Sequence, residues 1–233
     1  MRKSLLIGLA LAILAAFVLV YTAPAAADTL WYNGDSDGGA LANEINTEIS
    51  QALVYDNFIV PTAGWTINTV WSNNLMYITV TLASWEIRSG VSSGNGGTLV
   101  ASGTGAATQT ATGSSPSGHT EYTVQVSGLN VNLGPGTYWL NVTPIGSGSG
   151  LSYNLTTRGA NAVGLPPGND GNSFFDSTNF GYTFAPTSEP LLGFSRDFSM
   201  GVGGSSAVPL PGAACLLGSG LVGLVGWRRF RKN

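Results

Sequence analysis

WTINTVWSNNLMYITVTLASWEIRSG, residues Trp65–Gly90, decides how the fold is read. Apolar side chains recur here at every second position, the repeat of a half-buried strand, and almost never at the spacing of a helix. Alternation places Trp65, Ile67, Thr69 and Trp71 on one face. In LMYITVTL it groups Met76, Ile78, Val80 and Leu82, with Tyr77, Thr79 and Thr81 opposite. In WEIRSG it sets Trp85 and Ile87 against Glu86 and Arg88. The expectation is a buried row of tryptophans.

The same period extends outward from this stretch. EYTVQVSGL buries Tyr122, Val124 and Val126, and PGTYWLNV buries Tyr138, Leu140 and Val142, turning Trp139 outward with Thr137 and Asn141. Further strands are expected at ALVYDNFIV, GTLVASG, LSYNLTT, FGYTFA and RDFSMGV, punctuated by Gly, Ser, Asn and Pro. About ten strands so spaced predict an all-β fold, an antiparallel β-sandwich of jelly-roll type. Gly103–Gly118, rich in Gly, Ser, Thr and Ala, reads as a low-complexity loop, and 201–207 (GVGGSSA) as a flexible linker.

Both ends differ in kind from this middle. Arg2 and Lys3, an apolar run from Leu5 to Val20, and the small residues Ala25–Ala27 have the three parts of a secretory signal. Residues 1–27 are therefore expected to be a signal helix removed by signal peptidase during export by the Sec route. The sandwich domain then occupies 28–200. The far end, 208–233, carries a second apolar stretch. Its sixteen residues from Gly212 to Trp227 would reach about 24 Å as a helix. A bilayer core is about 30 Å thick, so the segment spans poorly. Arg228, Arg229, Arg231 and Lys232 would stop it on the cytoplasmic side. A weak helix closed by a basic stop suits transient inner-membrane association better than a permanent tether.

Charge separates along the same lines. All 12 acids lie between Asp28 and Asp197, whereas only Arg88, Arg158 and Arg196 among the 9 bases do; the whole-chain charge of −3 conceals this. So acidic a middle repels phosphate backbones, which argues against nucleic acid as a partner. The single cysteine, Cys215, lies in the tail, so no disulfide is available to the domain.

Val208-Pro209-Leu210-Pro211-Gly212, followed by LLGSGLVGL and the arginine cluster, resembles the PEP-CTERM sorting signal: a short proline motif, a glycine-rich membrane segment and a basic end. Leu210 departs from the family pattern, which has Glu between its prolines. The stretches NGDSDGGALANE, VYDNFIVP, GWTINTVWSNNL, WEIRSGVSSGNGGTLVASG and LGPGTYWLNV are similar to a sandwich domain found among such proteins. The resemblance implies an exosortase-type transpeptidase as processing partner, a Gram-negative source, and delivery to the cell surface or exopolysaccharide matrix. It implies no reaction.

Three kinds of candidate site stand out. Asn33, Asp35 and Asp37 alternate before Gly38, and Glu44 follows six residues later, the spacing of a calcium loop; Asp56 and Asp176 are further candidates for the shell. The same run is also a common turn in which Asn and Asp bond their own backbone. A bound Ca²⁺ here would be structural, pinning the first segment to the sandwich. Second, an outward Trp139, and Trp31, offer flat faces for stacking on an extracellular polysaccharide. Third, Glu86 and Glu121 are the pair a secreted glycan hydrolase would use, although Glu86 has Arg88 beside it on the strand face. The lone His119 has no nucleophile elbow to serve. The primary expectation is a non-catalytic envelope or matrix protein with no catalytic residues, the alternatives being a carbohydrate-binding module and a glycan hydrolase.

Overall fold

The structure, a computed structural model, describes residues 28–46, 51–115, 118–146, 151–166, 170–188 and 196–206. The expected signal segment, the sorting motif Val208–Gly212 and the basic stop at Arg228–Lys232 lie outside these. Among the described residues no helix is long and apolar enough to cross a membrane.

In chain order the strands are β1 (Asp28–Tyr32), β2 (Ser36–Ala42), β3 (Leu53–Val60), β4 (Trp65–Met76), β5 (Leu82–Ser89), β6 (Thr98–Ala111) and β7 (Glu121–Leu133). They continue with β8 (Gly136–Ile145), β9 (Ser152–Thr157), β10 (Phe174–Ser177), β11 (Tyr182–Pro186), β12 (Asp197–Phe198) and β13 (Met200–Ser206). The described residues are all-β with antiparallel strand pairing, and hold three strands more than the spacing suggested. One sheet runs β1-β13-β4-β7-β6-β5-β8-β3-β10-β11 and curls over on itself. The turn is made along β6, whose Leu99–Ala106 stretch pairs with β5 while Ala107–Ala111 pairs with β7. Residues 103–111 of the expected Gly103–Gly118 loop are thus strand. Its small side chains suit a strand that changes partner, as a Cβ on Gly103 would press on the Trp85 ring and one on Gly105 on Val126.

The curl brings distant strands face to face. Trp31 of β1 meets Phe58 of β3 at 5.5 Å between ring centroids, although seven steps of the sheet separate the two strands. Phe58 also stacks on Trp65 at 6.0 Å and on Tyr138 at 5.8 Å. Around this aromatic centre pack Ile67, Val70, Ile87, Val124, Leu140 and Met200. One end of the core is polar. Asn43 Nδ2 donates to Asn74 Oδ1 and to the Val142 carbonyl, and Asn43 Oδ1 accepts from the Thr143 hydroxyl.

Two features break the simple alternation. In β4, Ile67 faces Gly204 and Thr69 faces Gly203, so Asn68 is an extra residue with no partner across β13. This is a β-bulge, and it reverses which face later residues take. Trp65 and Ile67 point into the core, whereas Thr69, Trp71 and Asn73 point out; Trp71 does not belong to the buried row. Beyond Met76 the expected strand stops. Residues 77–81 turn, because the Gln109 amide donates to the Ile78 carbonyl and accepts from the Val80 N–H, replacing a ladder. Leu82 is consequently exposed.

Residues 201–206, expected as linker, are a central strand. β13 pairs with β1 on one side and β4 on the other. Its glycines are required by close approach: a Cβ on Gly204 would run into the Thr66 carbonyl. Phe58→Ala should lower stability by about 3–5 kcal/mol, read by urea unfolding, because the cavity would open where three aromatic neighbours meet.

Candidate functional site

The outer face of β1, β13, β4, β7 and β6 is built from short polar side chains in register. Tyr32, Gly201, Trp71, Gln125 and Thr108 form one row across the five strands. Asn73, Thr123 and Thr110 lie along the next, and Gly203, Thr69 and Ser127 along the row on the other side. Because Gly201 has no side chain, the Trp71 indole packs over it; a Cβ there would collide with the ring, and one on Gly203 would press on Thr69. Trp71 is half-buried.

Beside it is an open groove of roughly 480 Å³, lined by Tyr32, Asp35, Trp71, Asn73, Glu121 and Thr123 among others. The Tyr32 and Trp71 rings are 6.3 Å apart. Hydrogen bonds hold the polar groups in place. The Tyr32 hydroxyl donates to Asp35 Oδ1 at 2.8 Å and accepts from Asn73 Nδ2 at 3.3 Å. Thr123 donates to Asn73 Oδ1 at 2.7 Å. Asn161 Nδ2 donates to Asp35 Oδ2 at 2.6 Å. Burial raises the Glu121 carboxyl above the ordinary range, a hydrogen bond from Ser114 opposes this, and the charge of Asp35 adds to it.

The residues expected to stack on sugars are elsewhere. Trp31 is fully buried in the core, and Trp139 is only 6% exposed. Alternation did turn Trp139 away from the main core, but that face carries a second layer. The β10–β11 hairpin covers it with Phe174 and Phe184, which join Leu53, Tyr55 and Val91. The Trp139 indole N–H donates to the Asn172 carbonyl. Glu86 and Glu121 do not form a pair either: Glu86 accepts from Arg88 at 2.6 Å and from the Tyr55 hydroxyl at 2.9 Å.

The expected calcium loop is likewise dispersed. Most of it is strand β2 and its approaches, and its acids serve separate partners. Asp35 faces the groove. Asp37 accepts from Thr156 and lies 3.3 Å from both Arg158 and Arg196. Burial works against its ionisation, but those hydrogen bonds and cations outweigh it and lower its pKa. Glu44 accepts from Asn46 and from the Ser152 N–H.

Asn33 alone among these four reaches a carboxylate cluster, one made of residues distant in the chain. Asp56, Asp170 and Asp197 each present an oxygen within 4.8 Å of the others'. Since β10 meets β3 only at Leu53–Tyr55, the next part of β3 is met instead by residues 170–172 and by β12. Asp56 accepts from the backbone N–H groups of Asn57 and Phe198 and from Asn33 Nδ2. Asp197 accepts from the N–H groups of Asp170 and Gly171. Asp56 is fully buried; burial first, then the charges of Asp197 and Asp170, raise its pKa well above the ordinary range, with the Phe198 and Asn57 N–H groups opposing. Two buried amide oxygens at the cluster, Asn33 Oδ1 and Asn57 Oδ1, have no hydrogen-bond partner. Each such orphan costs about 1–3 kcal/mol.

Asp170 and Asp197 were not singled out from the sequence, and no local spacing marks them. Trp71 was read as buried; the clue to the contrary was the glycine-rich strand that the fold sets beside it. Comparison with protein-family models, curated proteins and solved structures finds no match to this chain.

The raised pKa of Glu121 has a definite sign. Its protonated form favours the folded state, so that contribution is complete below the unfolded carboxylate pKa and is lost as pH rises through the folded value. Glu121→Gln should therefore melt higher than the parent at neutral pH, and the gap should close below about pH 4. Thermal scans across pH 3–8 check this.

Proposed function

We propose that this chain is an exported, surface-sorted and non-catalytic protein whose groove binds polysaccharide, carried on a β-sandwich of jelly-roll type. The observation that carries the reading is the Trp71 indole, packed over Gly201 on the outer sheet face beside a groove rimmed by Tyr32, Asp35 and Asn73. A flat ring accepts the C–H face of a sugar, and fixed carboxylate, amide and hydroxyl groups around it bond to ring hydroxyls. The surrounding rows of Thr, Gln and Ser extend the same chemistry over neighbouring units of a polymer. This replaces Trp31 and Trp139 with Trp71 and Tyr32 as the sugar-facing aromatics.

The destination rests on the two terminal signals. Signal peptidase would release residues 1–27, and an exosortase-type transpeptidase would act at Val208–Gly212 while the weak helix holds the chain in the inner membrane. The product reaches the surface or matrix of a Gram-negative cell, where polysaccharide is the neighbour at hand.

A second reading draws on Glu121 and Asp35. A carboxyl whose pKa is raised, lying beside a second carboxylate in a groove, is the equipment of glycoside hydrolysis. Release of reducing sugar that disappears in Glu121→Gln would favour it over binding alone.

Trp71→Ala should weaken retention on the recognised polysaccharide by about tenfold or more in affinity electrophoresis, with the melting temperature little changed. Trp139→Ala should instead destabilise the fold. If a panel of bacterial exopolysaccharides is bound equally by the parent and by Trp71→Ala, the groove is not the binding site. Mass spectrometry of the surface-exposed form should find Arg228–Asn233 missing; an intact tail in that fraction would remove the sorting part of the reading.

A further inference from the structure

The groove leaves the cluster around Asp56 unused, and the two share no lining residue. We propose that Asp56, Asp170 and Asp197, together with the side-chain oxygens of Asn33 and Asn57, bind a calcium ion that fastens β3, β12, residues 170–172 and the segment after β1 to one another.

Two independent observations support it. First, three carboxylates gathered within 4.8 Å repel one another, and Asp56 and Asp197 are fully buried, where that repulsion is poorly screened. Asp56 and Asp170 take part in none of the ion pairs seen among the described residues. Backbone N–H groups aim Asp56 and Asp197 into the cluster, and those on Asp56 use only some of the roughly four lone-pair sites of its carboxylate.

Second, Asn33 and Asn57 each turn an amide into the cluster. The Asn33 NH₂ touches Asp56 Oδ2 at 2.9 Å, and the Asn57 NH₂ touches Asp170 Oδ2 at 3.0 Å. The oxygen on each of these amides is buried without a partner. A half-turn of either amide about its Cβ–Cγ bond exchanges NH₂ and oxygen and brings that oxygen to the carboxylates, an arrangement that a cation would satisfy.

The donor set selects the ion. Every donor is a hard oxygen, with no His or Cys, which disfavours zinc. Calcium takes six to eight oxygens from carboxylates, amide carbonyls and water in flexible geometry, whereas magnesium keeps most of its waters and uses one or two carboxylates. Three carboxylates and two amides fit calcium. The role is structural: four chain segments far apart in sequence share one ion.

The test uses the full chain, stripped with EDTA and titrated with CaCl₂ by calorimetry, with melting temperatures taken in EDTA, CaCl₂ and MgCl₂. Binding of one calcium is expected, with a rise in melting temperature of about 5–10 °C when calcium exceeds its Kd a hundredfold. Asp170→Asn is the informative variant, since Asp170 is exposed and its loss spares the core. It should keep the EDTA melting temperature and lose about tenfold or more in calcium affinity, while Asp35→Asn and Asp37→Asn leave the affinity unchanged. No heat and no melting shift in the parent would overturn the proposal. So would unaltered binding by Asp170→Asn, or loss of binding in Asp37→Asn instead. An equal shift with MgCl₂ would overturn the choice of calcium. None of these readouts involves polysaccharide, so the site stands or falls apart from the groove.

Discussion

The extra residue at Asn68 is the constraint on which the rest depends. A strand has two faces, and a single inserted residue exchanges them for everything that follows. Before the bulge, β4 gives Trp65 and Ile67 to the aromatic centre around Phe58. After it, β4 gives Val70 inward and Thr69, Trp71 and Asn73 outward. One strand thereby supplies both the core and the aromatic plate of the outer face. Neither the buried cluster nor the groove survives a regular β4.

The fold class was legible because burial enforces period two wherever a strand is regular. Trp85 and Ile87, Val124 and Val126, and Leu140 and Val142 all lie on the core side, as alternation requires. Failures have local causes. Trp71 was misassigned because a bulge has no signature in hydrophobicity. Trp139 was assigned to the correct face, but a second layer from residues 174–186 covers that face, and alternation cannot see what packs on top. Glycine-rich stretches misled twice. At Gly103 and Gly105 and in 201–204 the lack of side chains reflects close approach of neighbouring side chains and backbone, and residues 103–111 and 201–206 are strand rather than loop or linker.

The sites were less legible than the fold, for a reason of distance. Asn33 was named from a compact acidic run, yet its carboxylate neighbours come from positions 56, 170 and 197, brought together only by the curl of the sheet. The neighbours of Asn33 in that run, Asp35 and Asp37, went to a tyrosine and to two arginines. Local spacing identifies ligand sets that a single loop supplies. Where each strand supplies one group, the spacing carries no message.

β13 holds the last of the described residues, 200–206, yet it occupies an interior place, with β1 on one flank and β4 on the other. Until those residues arrive, β1 has no strand to lie against and the Trp65–Ser72 edge of β4 stays bare. A chain threaded through a membrane from its beginning would therefore stay open, with Trp31 waiting in water, until nearly the whole domain had crossed. Closure is then a late event of long sequence range, which makes it slow.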